Sequence, residues 1–233
     1  MKPELLTALT VQRAHKTACA CVTNLDTGQQ ILLFDGGETG DLPLSEAQKT
    51  AVHRRIKADK SGMEDGLFVR VYAPPPRMIV VGAVHIAQFL APMAALAGFD
   101  VTVIDPREGF VRSTGWIGGA ISSVKSLTAW PDEGMKEVKP DARTAIVTLT
   151  HDPKLDDPAL SAALKSPAFY IGALGSKKTH AKRLQRLERD GFSADDLARI
   201  NGPVGLAINA QSPAEIAVSI MAQVIENLRA EAA

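Results

Sequence analysis

Arg77-Met-Ile-Val-Val-Gly-Ala-Val-His-Ile-Ala87, followed by Val101-Thr-Val-Ile-Asp-Pro-Arg107, decides the fold. An apolar run ends in a glycine turn, a helical stretch follows, and a second apolar run ends in an acid. That succession is the opening βαβ unit of a dinucleotide-type fold, with Asp105 at the tip of the second strand. The glycine pattern is damaged. Gly-x-Gly-x-x-Gly/Ala places a glycine where this chain has Val84, and a β-branched side chain there obstructs the close approach of backbone to pyrophosphate. The same residues therefore give the fold and put the usual ligand in question.

Working outward, Met78–Val81 and Val101–Ile104 are continuous apolar runs, as parallel strands covered on both faces should be. Thr144–Leu149, Ala168–Leu174 and Val204–Ile208 extend the series as strands. Val84–Ala97, Asp157–Leu164, Thr179–Asp190 and Pro213–Arg229 read as the matching helices. Ser212-Pro213-Ala214-Glu215 is a helix start, with a cap, a first-turn proline and an acid near the positive helix end. Glu108–Pro140, rich in Gly, Ser and charge, reads as a long irregular segment over the sheet. On the other side, Pro74-Pro75-Pro76 is a stiff spacer and the domain boundary. Residues 1–73 before it read as a small α+β domain. It has a helix over Glu4–His15, strands near Ala18–Asn24, Gln30–Phe34 and Leu67–Ala73, a loop over Asp35–Asp41, and a helix from Ser45 to about Asp59. Ser45 and Gln48 have the spacing of a capping box. The fold class is thus α/β: a parallel-sheet domain over residues 77–233, preceded by the small α+β domain.

Composition narrows the function. The 233 residues carry a formal net charge of zero and 45% hydrophobic residues. A neutral chain lacks the basic footprint of a nucleic-acid binder. No apolar run reaches the roughly 18 residues of a membrane span, and the first residues lack a signal-peptide core, so a cytoplasmic protein is expected. The two cysteines, Cys19 and Cys21, are two apart on a strand and face one side, as buried apolar residues or as a sulfur-handling pair. They lack further ligands at metal-site spacing, so no metal site is expected. Ile216, Val218, Ile220, Met221 and Val224 wrap much of the last helix, which is covered either by the core or by a second copy in a homodimer.

Chemistry concentrates at four strand ends, where open parallel sheets bind ligands. Gly82 supplies a tight turn, and His85 in the first helical turn either packs or meets an anion. Asp105 lies 23 residues beyond Gly82, near the spacing of a ribose-binding carboxylate, and the neighbouring Arg107 either pairs with it or takes a phosphate. His151 and Asp152 follow Thr148-Leu-Thr150 and either move protons or cap a helix before Pro153. Gly175 and Ser176 open a helix carrying Lys177, Lys178, Lys182 and Arg183, either an anion site or a solvated basic face. The Gly-x4-Gly-Lys-Ser/Thr spacing of a P-loop is absent.

Five ordered segments carry a resemblance: Val101–Arg107, Thr148–Asp152, Tyr170-Ile-Gly-Ala-Leu-Gly-Ser176, Gly202-Pro-Val-Gly-Leu206 and Pro213–Ile220. Together they resemble the C-terminal Rossmann-type domain of the xanthine dehydrogenase accessory proteins, the XdhC/CoxI family, over about residues 77–229. The resemblance implies a cytoplasmic chaperone rather than a turnover enzyme. It implies binding of molybdenum cofactor (molybdopterin), support of its sulfuration with a cysteine desulfurase as sulfur source, and delivery to the apo-enzyme of a molybdenum hydroxylase. Gly175, Lys177 and Lys178 suit the cofactor's terminal phosphate. Two departures stand out: Val84 replaces a family glycine, and the N-terminal domain lacks the family's Gly-Ser-x-Pro-Arg-like and Gly-Gly-Cys-Val-Glu-like segments. Two further readings are an NAD(P)-dependent oxidoreductase, which Val84 argues against, and a ligand-free scaffold paralogue.

Overall fold

The computed structural model describes residues 2–108 and 124–230. Contacts divide it into one unit running to Pro74 and a second from Pro75 to Leu228.

The first unit is built on β1 (Cys19–Asn24), β2 (Gln30–Phe34), β3 (Gly37–Gly40), β4 (Gly62–Glu64) and β5 (Leu67–Tyr72), with α1 (Pro3–Ala14) and α2 (Glu46–Ala58). The antiparallel sheet has the order β3-β2-β1-β5-β4. Central β1 alternates between two apolar clusters. Ala20 and Val22 join Val52 of α2, and Cys19 and Cys21 join Leu5 and Leu9 of α1. Both thiols are buried, and burial pushes both above the usual thiol range. The capping box at the start of α2 forms as expected between Ser45 and Gln48. Residues 35–41, expected as a loop, instead contain β3. Phe34 pairs with Gly37 across a two-residue turn in which Gly36 takes φ +83°. The strand lacks a β-prone pattern because backbone pairing, helped by the Lys49–Glu38 ion pair at 2.9 Å, holds it at the sheet edge. A Cβ at its end, on Gly40, would collide with the Gln30 carbonyl oxygen. Likewise β4, unforeseen, pairs with β5 across Asp65-Gly66, both at positive φ, the geometry of a tight hairpin turn.

The second unit comprises β6 (Arg77–Val81), α3 (His85–Leu96), β7 (Asp100–Ile104), β8 (Val124–Leu127), α4 (Pro131–Val138), β9 (Thr144–Thr148), α5 (Pro153–Leu164), β10 (Tyr170–Ala173), α6 (Lys177–Arg189), α7 (Ala194–Ala198), β11 (Ile200–Asn201) and α8 (Pro213–Ala230). All pairings in its sheet are parallel. The order is β8-β7-β6-β9-β10-β11. Counted within the unit this is 3-2-1-4-5-6, the doubly wound Rossmann order. Alternate residues of β6 explain the two layers. Met78 and Val80 pack with α3 and α8, while Ile79 and Val81 pack with α4, α5 and α6. Burial on both faces is why these strands read as unbroken apolar runs.

Four sequence expectations are corrected. The segment from Glu108 to Pro140 is not irregular throughout: it holds β8 and α4, and residues 109–123 lie outside the described ones. Gly134 of α4 is required because a Cβ there would lie 2.8 Å from Ile104 Cγ2. The last strand is Ile200–Asn201, not Val204–Ile208. Gly205, at φ +96°, turns the chain, and its N–H donates to Gln223 instead of a sheet partner. Helix α5 begins at Pro153, not Asp157, because Asp152 caps it ahead of a first-turn proline. Helix α6 begins at Lys177 under the Ser176 cap that the sequence offered, two residues before the stretch from Thr179. On α8, Ile220, Met221 and Val224 are buried while Val218 is exposed.

Candidate functional site

The strand order reverses between β6 and β9, and the crevice outside the carboxyl ends of such strands is where doubly wound sheets bind ligands. Here that point is closely packed. Gly82, at φ +104°, faces Thr150, and a Cβ on it would collide with Thr150 Cγ2. The glycine is thus required by its backbone angle and by its neighbour. Val84 is the helix-capping residue of α3, without a side-chain cap, and packs half-buried against the α3 core. His85 is exposed on the first turn, its ring 5.9 Å from that of Phe89.

Asp105 is 0% exposed and fully engaged. Its Oδ2 accepts from Ala83 N–H and Arg107 Nη2, both at 2.7 Å, and its Oδ1 accepts from Arg107 N–H and Nε, both at 2.9 Å. Burial alone would raise this carboxyl. The bonds from Arg107 and Ala83 outweigh burial and hold it below the usual carboxylate range. Arg107 is raised in turn, chiefly by its bond to Asp105, with a smaller contribution from Asp152. The acid therefore straps the glycine turn of β6 to the tip of β7.

Past β9 the arrangement differs. Asp152 Oδ1 accepts from Lys154 N–H at 2.9 Å and so caps α5. Thr150 Oγ1 donates to Asp156 Oδ1 at 2.6 Å. Asp156 is 2% exposed, and its Oδ2 accepts from Arg183 Nη2 at 3.2 Å. Burial pushes its pKa from the ordinary 3.8 up to about 6, and the bonds from Thr150 and Arg183 offset only part of that rise. Arg183 is 1% exposed. Its Nη2 also donates to the Leu174 carbonyl at 2.9 Å, whereas Nε and Nη1 have no partner. Beside this pair, between the first turn of α5 and one face of α6, lies a crevice of about 150 Å³ lined in part by His151, Asp156, Lys178, Lys182, Arg183 and Arg186. Arg186 is paired with Asp157 at 2.5 and 2.9 Å. Lys178 and Lys182 are exposed and, among the described residues, have no carboxylate partner.

Of the sequence-derived residues, Gly82, Asp105 and Arg107 meet at the β6–β7 tip, and His151 and Lys178 meet in the crevice. Asp152 and Ser176 are spent as caps; the Ser176 hydroxyl accepts from Thr179 N–H at 3.2 Å. Gly175 takes φ +142°, with Thr179 Cγ2 3.1 Å from where its Cβ would be. His85 and Lys177 stand exposed and do not line the crevice. Arg183 is not on a solvated basic face: it shares the buried stripe of α6 with Leu187. Sequence reasoning missed Asp156. The available signal was its spacing with Leu160 and Ala163, which puts an acid on the apolar face of α5. Other motif residues are architectural. Tyr170 Oη donates to Gln223 Oε1 at 2.6 Å, the same oxygen that accepts from Gly205 N–H at 2.8 Å. A Cβ on Gly172 would lie 2.6 Å from Val204 Cγ2, and one on Gly202 would collide with the His180 ring. Among the described residues, no group of three or more His, Cys, Asp and Glu side chains is placed to hold a metal ion, and no helix is long and apolar enough to cross a membrane.

Comparisons with known proteins bear on the family and the fold. The family model described as the XdhC Rossmann domain matches residues 78–224. The molybdenum cofactor insertion chaperone PaoD of Escherichia coli (strain K12) is 30% identical over 153 residues, which are 66% of this chain and 40% of that protein. A protein of Bacillus subtilis (strain 168) named as a probable xanthine dehydrogenase subunit is 29% identical over 212 residues, 90% of this chain and 60% of that protein. The chain thus spans less than two thirds of the length of these relatives. A crystal structure of a xanthine dehydrogenase from Bacillus halodurans superposes with a TM-score of 0.76 at 24% identity, covering 98% of this chain and 68% of the other, a likeness of fold.

Proposed function

The chain belongs to the XdhC family through its Rossmann domain, and on that premise we propose that it is a chaperone of molybdenum cofactor. In this reading it holds the cofactor and delivers it to the apo-enzyme of a molybdenum hydroxylase. One observation carries the reading beyond the fold. The strand ends that bind ligands in this architecture bear a basic crevice lined by Arg183, a buried cation with N–H groups left unpartnered, and by two lysines without a carboxylate among the described residues. The similarity to a protein named as a molybdenum cofactor insertion chaperone supports the same conclusion.

The donor set suits the phosphate end of molybdopterin, with Lys178, Lys182 and Arg183 as its partners and His151 on the rim. Gly82, His85, Gly175 and Lys177 lie at neighbouring strand ends and helix starts, where the rest of the cofactor would be met. Asp105, Arg107, Asp152 and Ser176 shape those turns through their own hydrogen bonds. When bound, the cofactor supplies the molybdenum centre that the hydroxylase uses; this chain's residues bind and orient it. The only cysteines in the sequence are buried, with thiols pushed above their usual range, and a neutral buried thiol is a poor sulfur carrier. Sulfuration therefore takes its sulfur directly from a cysteine desulfurase partner. A homodimer would cover Val218 and Ile225, which α8 leaves exposed.

The oxidoreductase reading is disfavoured by two features: Val84 stands at the pyrophosphate position, and the Asp105 carboxylate already accepts four hydrogen bonds that a ribose would have to displace. Thermal shift separates the readings. A ligand of the folded state at a hundredfold excess over its Kd stabilises by about 2.7 kcal/mol. A shift with molybdenum cofactor and none with NAD or NADP is expected. A shift with the nicotinamides alone would make the chain an oxidoreductase, and no shift with any would make it a scaffold.

A further inference from the structure

We propose that the crevice between α5 and α6 is a binding site for a phosphate-class oxyanion, with Arg183 as its floor and Lys178 and Lys182 as its rim. A guanidinium has five N–H donors, and burial without partners is costly for each. Here Nη2 is satisfied by Asp156 and the Leu174 carbonyl, while Nε and the two N–H groups of Nη1 are not. A desolvated cation so poorly compensated attracts an anion far more strongly than a solvated one, because little water screens it.

The surrounding charges point the same way. Asp156 answers Arg183, Asp157 answers Arg186 with two bonds, and Lys178 and Lys182 are left over among the described residues. These lysines are four apart, so they lie on one face of α6 and can close on the same ligand. His151 adds a further nitrogen at the mouth. The ligand is then a compact anion with acceptors in several directions. A volume of about 150 Å³ admits a phosphate group with its waters. A tetrahedral oxyanion presents acceptors in more directions than a planar carboxylate, and so suits a floor and a rim that face it from different sides.

The proposal deepens the cofactor reading and rests on it only for the source of the phosphate, a pterin's or a free one. The test titrates inorganic phosphate into the full chain by calorimetry, with acetate as comparison. Saturable binding of one phosphate, and none of acetate, is expected. Lys178→Ala with Lys182→Ala should weaken it by about tenfold, equivalent to ~1.4 kcal/mol, at an unchanged melting temperature. Lys136→Ala with Lys165→Ala removes the same charge elsewhere and should leave affinity intact. Arg183→Lys should also weaken binding, and the surface pair keeps the test decisive if that variant does not fold. Absence of saturable phosphate binding, or equal weakening by both lysine pairs, would overturn the proposal. Competition by molybdopterin separates the sources. Phosphate binding that molybdopterin fails to displace would keep the crevice and count against the cofactor reading.

Discussion

Two buried aspartates, one at the tip of β7 and one in the first turn of the helix that follows β9, behave in opposite ways. Asp105, past β7, accepts four hydrogen bonds, and its pKa is lowered despite its burial. Asp156, past β9, accepts one bond from Thr150 and one from Arg183, and burial pushes it up to about 6. What separates them is the number of donors, since both are removed from water. The saturated acid fastens a turn and has no capacity left for a ligand. The under-compensated pair leaves unpartnered donors next to a crevice. Buried donors left unsatisfied call for an explanation, and beside a crevice at strand ends that gather ligands, a bound anion is the one proposed here.

The comparison breaks most visibly on removing one acid while leaving its cation. Asp156→Ala leaves Arg183 buried and unpaired and should cost ~3–5 kcal/mol of stability by urea denaturation. Asp105→Ala should cost less, about 1–3 kcal/mol, since it orphans the Ala83 N–H while Arg107, partly exposed, turns to water. A smaller effect sharpens the contrast through pH. The raised pKa of Asp156 contributes stability that is full below its unfolded value of 3.8 and lost as pH rises through about 6. The lowered pKa of Asp105 contributes stability present above 3.8 and lost as pH falls through its folded value. Of the two acids only Asp156 has its shift in the window between 3.8 and 6, so wild type should gain on Asp156→Asn as the pH falls through that window, read by melting temperature. A parallel pH course for the two proteins would contradict the raised value. The smallest effect is expected at the cap. Ser176→Ala should cost about 1 kcal/mol and, if the anion sits in the crevice and not on the loop, should leave phosphate affinity unchanged.

The fold was legible because its signals are local. Apolar runs bounded by Gly82 and Asp105 specify parallel strands, and Ser45, Asp152 and Ser176 each mark a helix start by composition. Short strands held by backbone pairing, such as Gly37–Gly40, carry no side-chain pattern to read. Gly62–Glu64 was announced by Asp65-Gly66, an available turn signal. The site was legible only in outline. Spacing placed Asp105 correctly but not its role, because a ribose acceptor and a backbone strap look alike in sequence. Arg183 looked like one more cation on a basic helix. Its burial depends on Asp156 and on the Leu174 carbonyl, partners that only the packing of α5 against α6 brings together. Spacing also made Lys177 and Lys178 equivalent, whereas helical phase puts Lys178 and Lys182 on the crevice.

The most direct measurement is cofactor retention: the full chain is mixed with molybdenum cofactor, passed through gel filtration, and assayed for molybdenum and pterin in the protein peak. The account predicts that wild type retains both, and that Lys178→Ala with Lys182→Ala loses more than Lys177→Ala. A wild-type protein that elutes without molybdenum or pterin would contradict the cofactor chaperone reading.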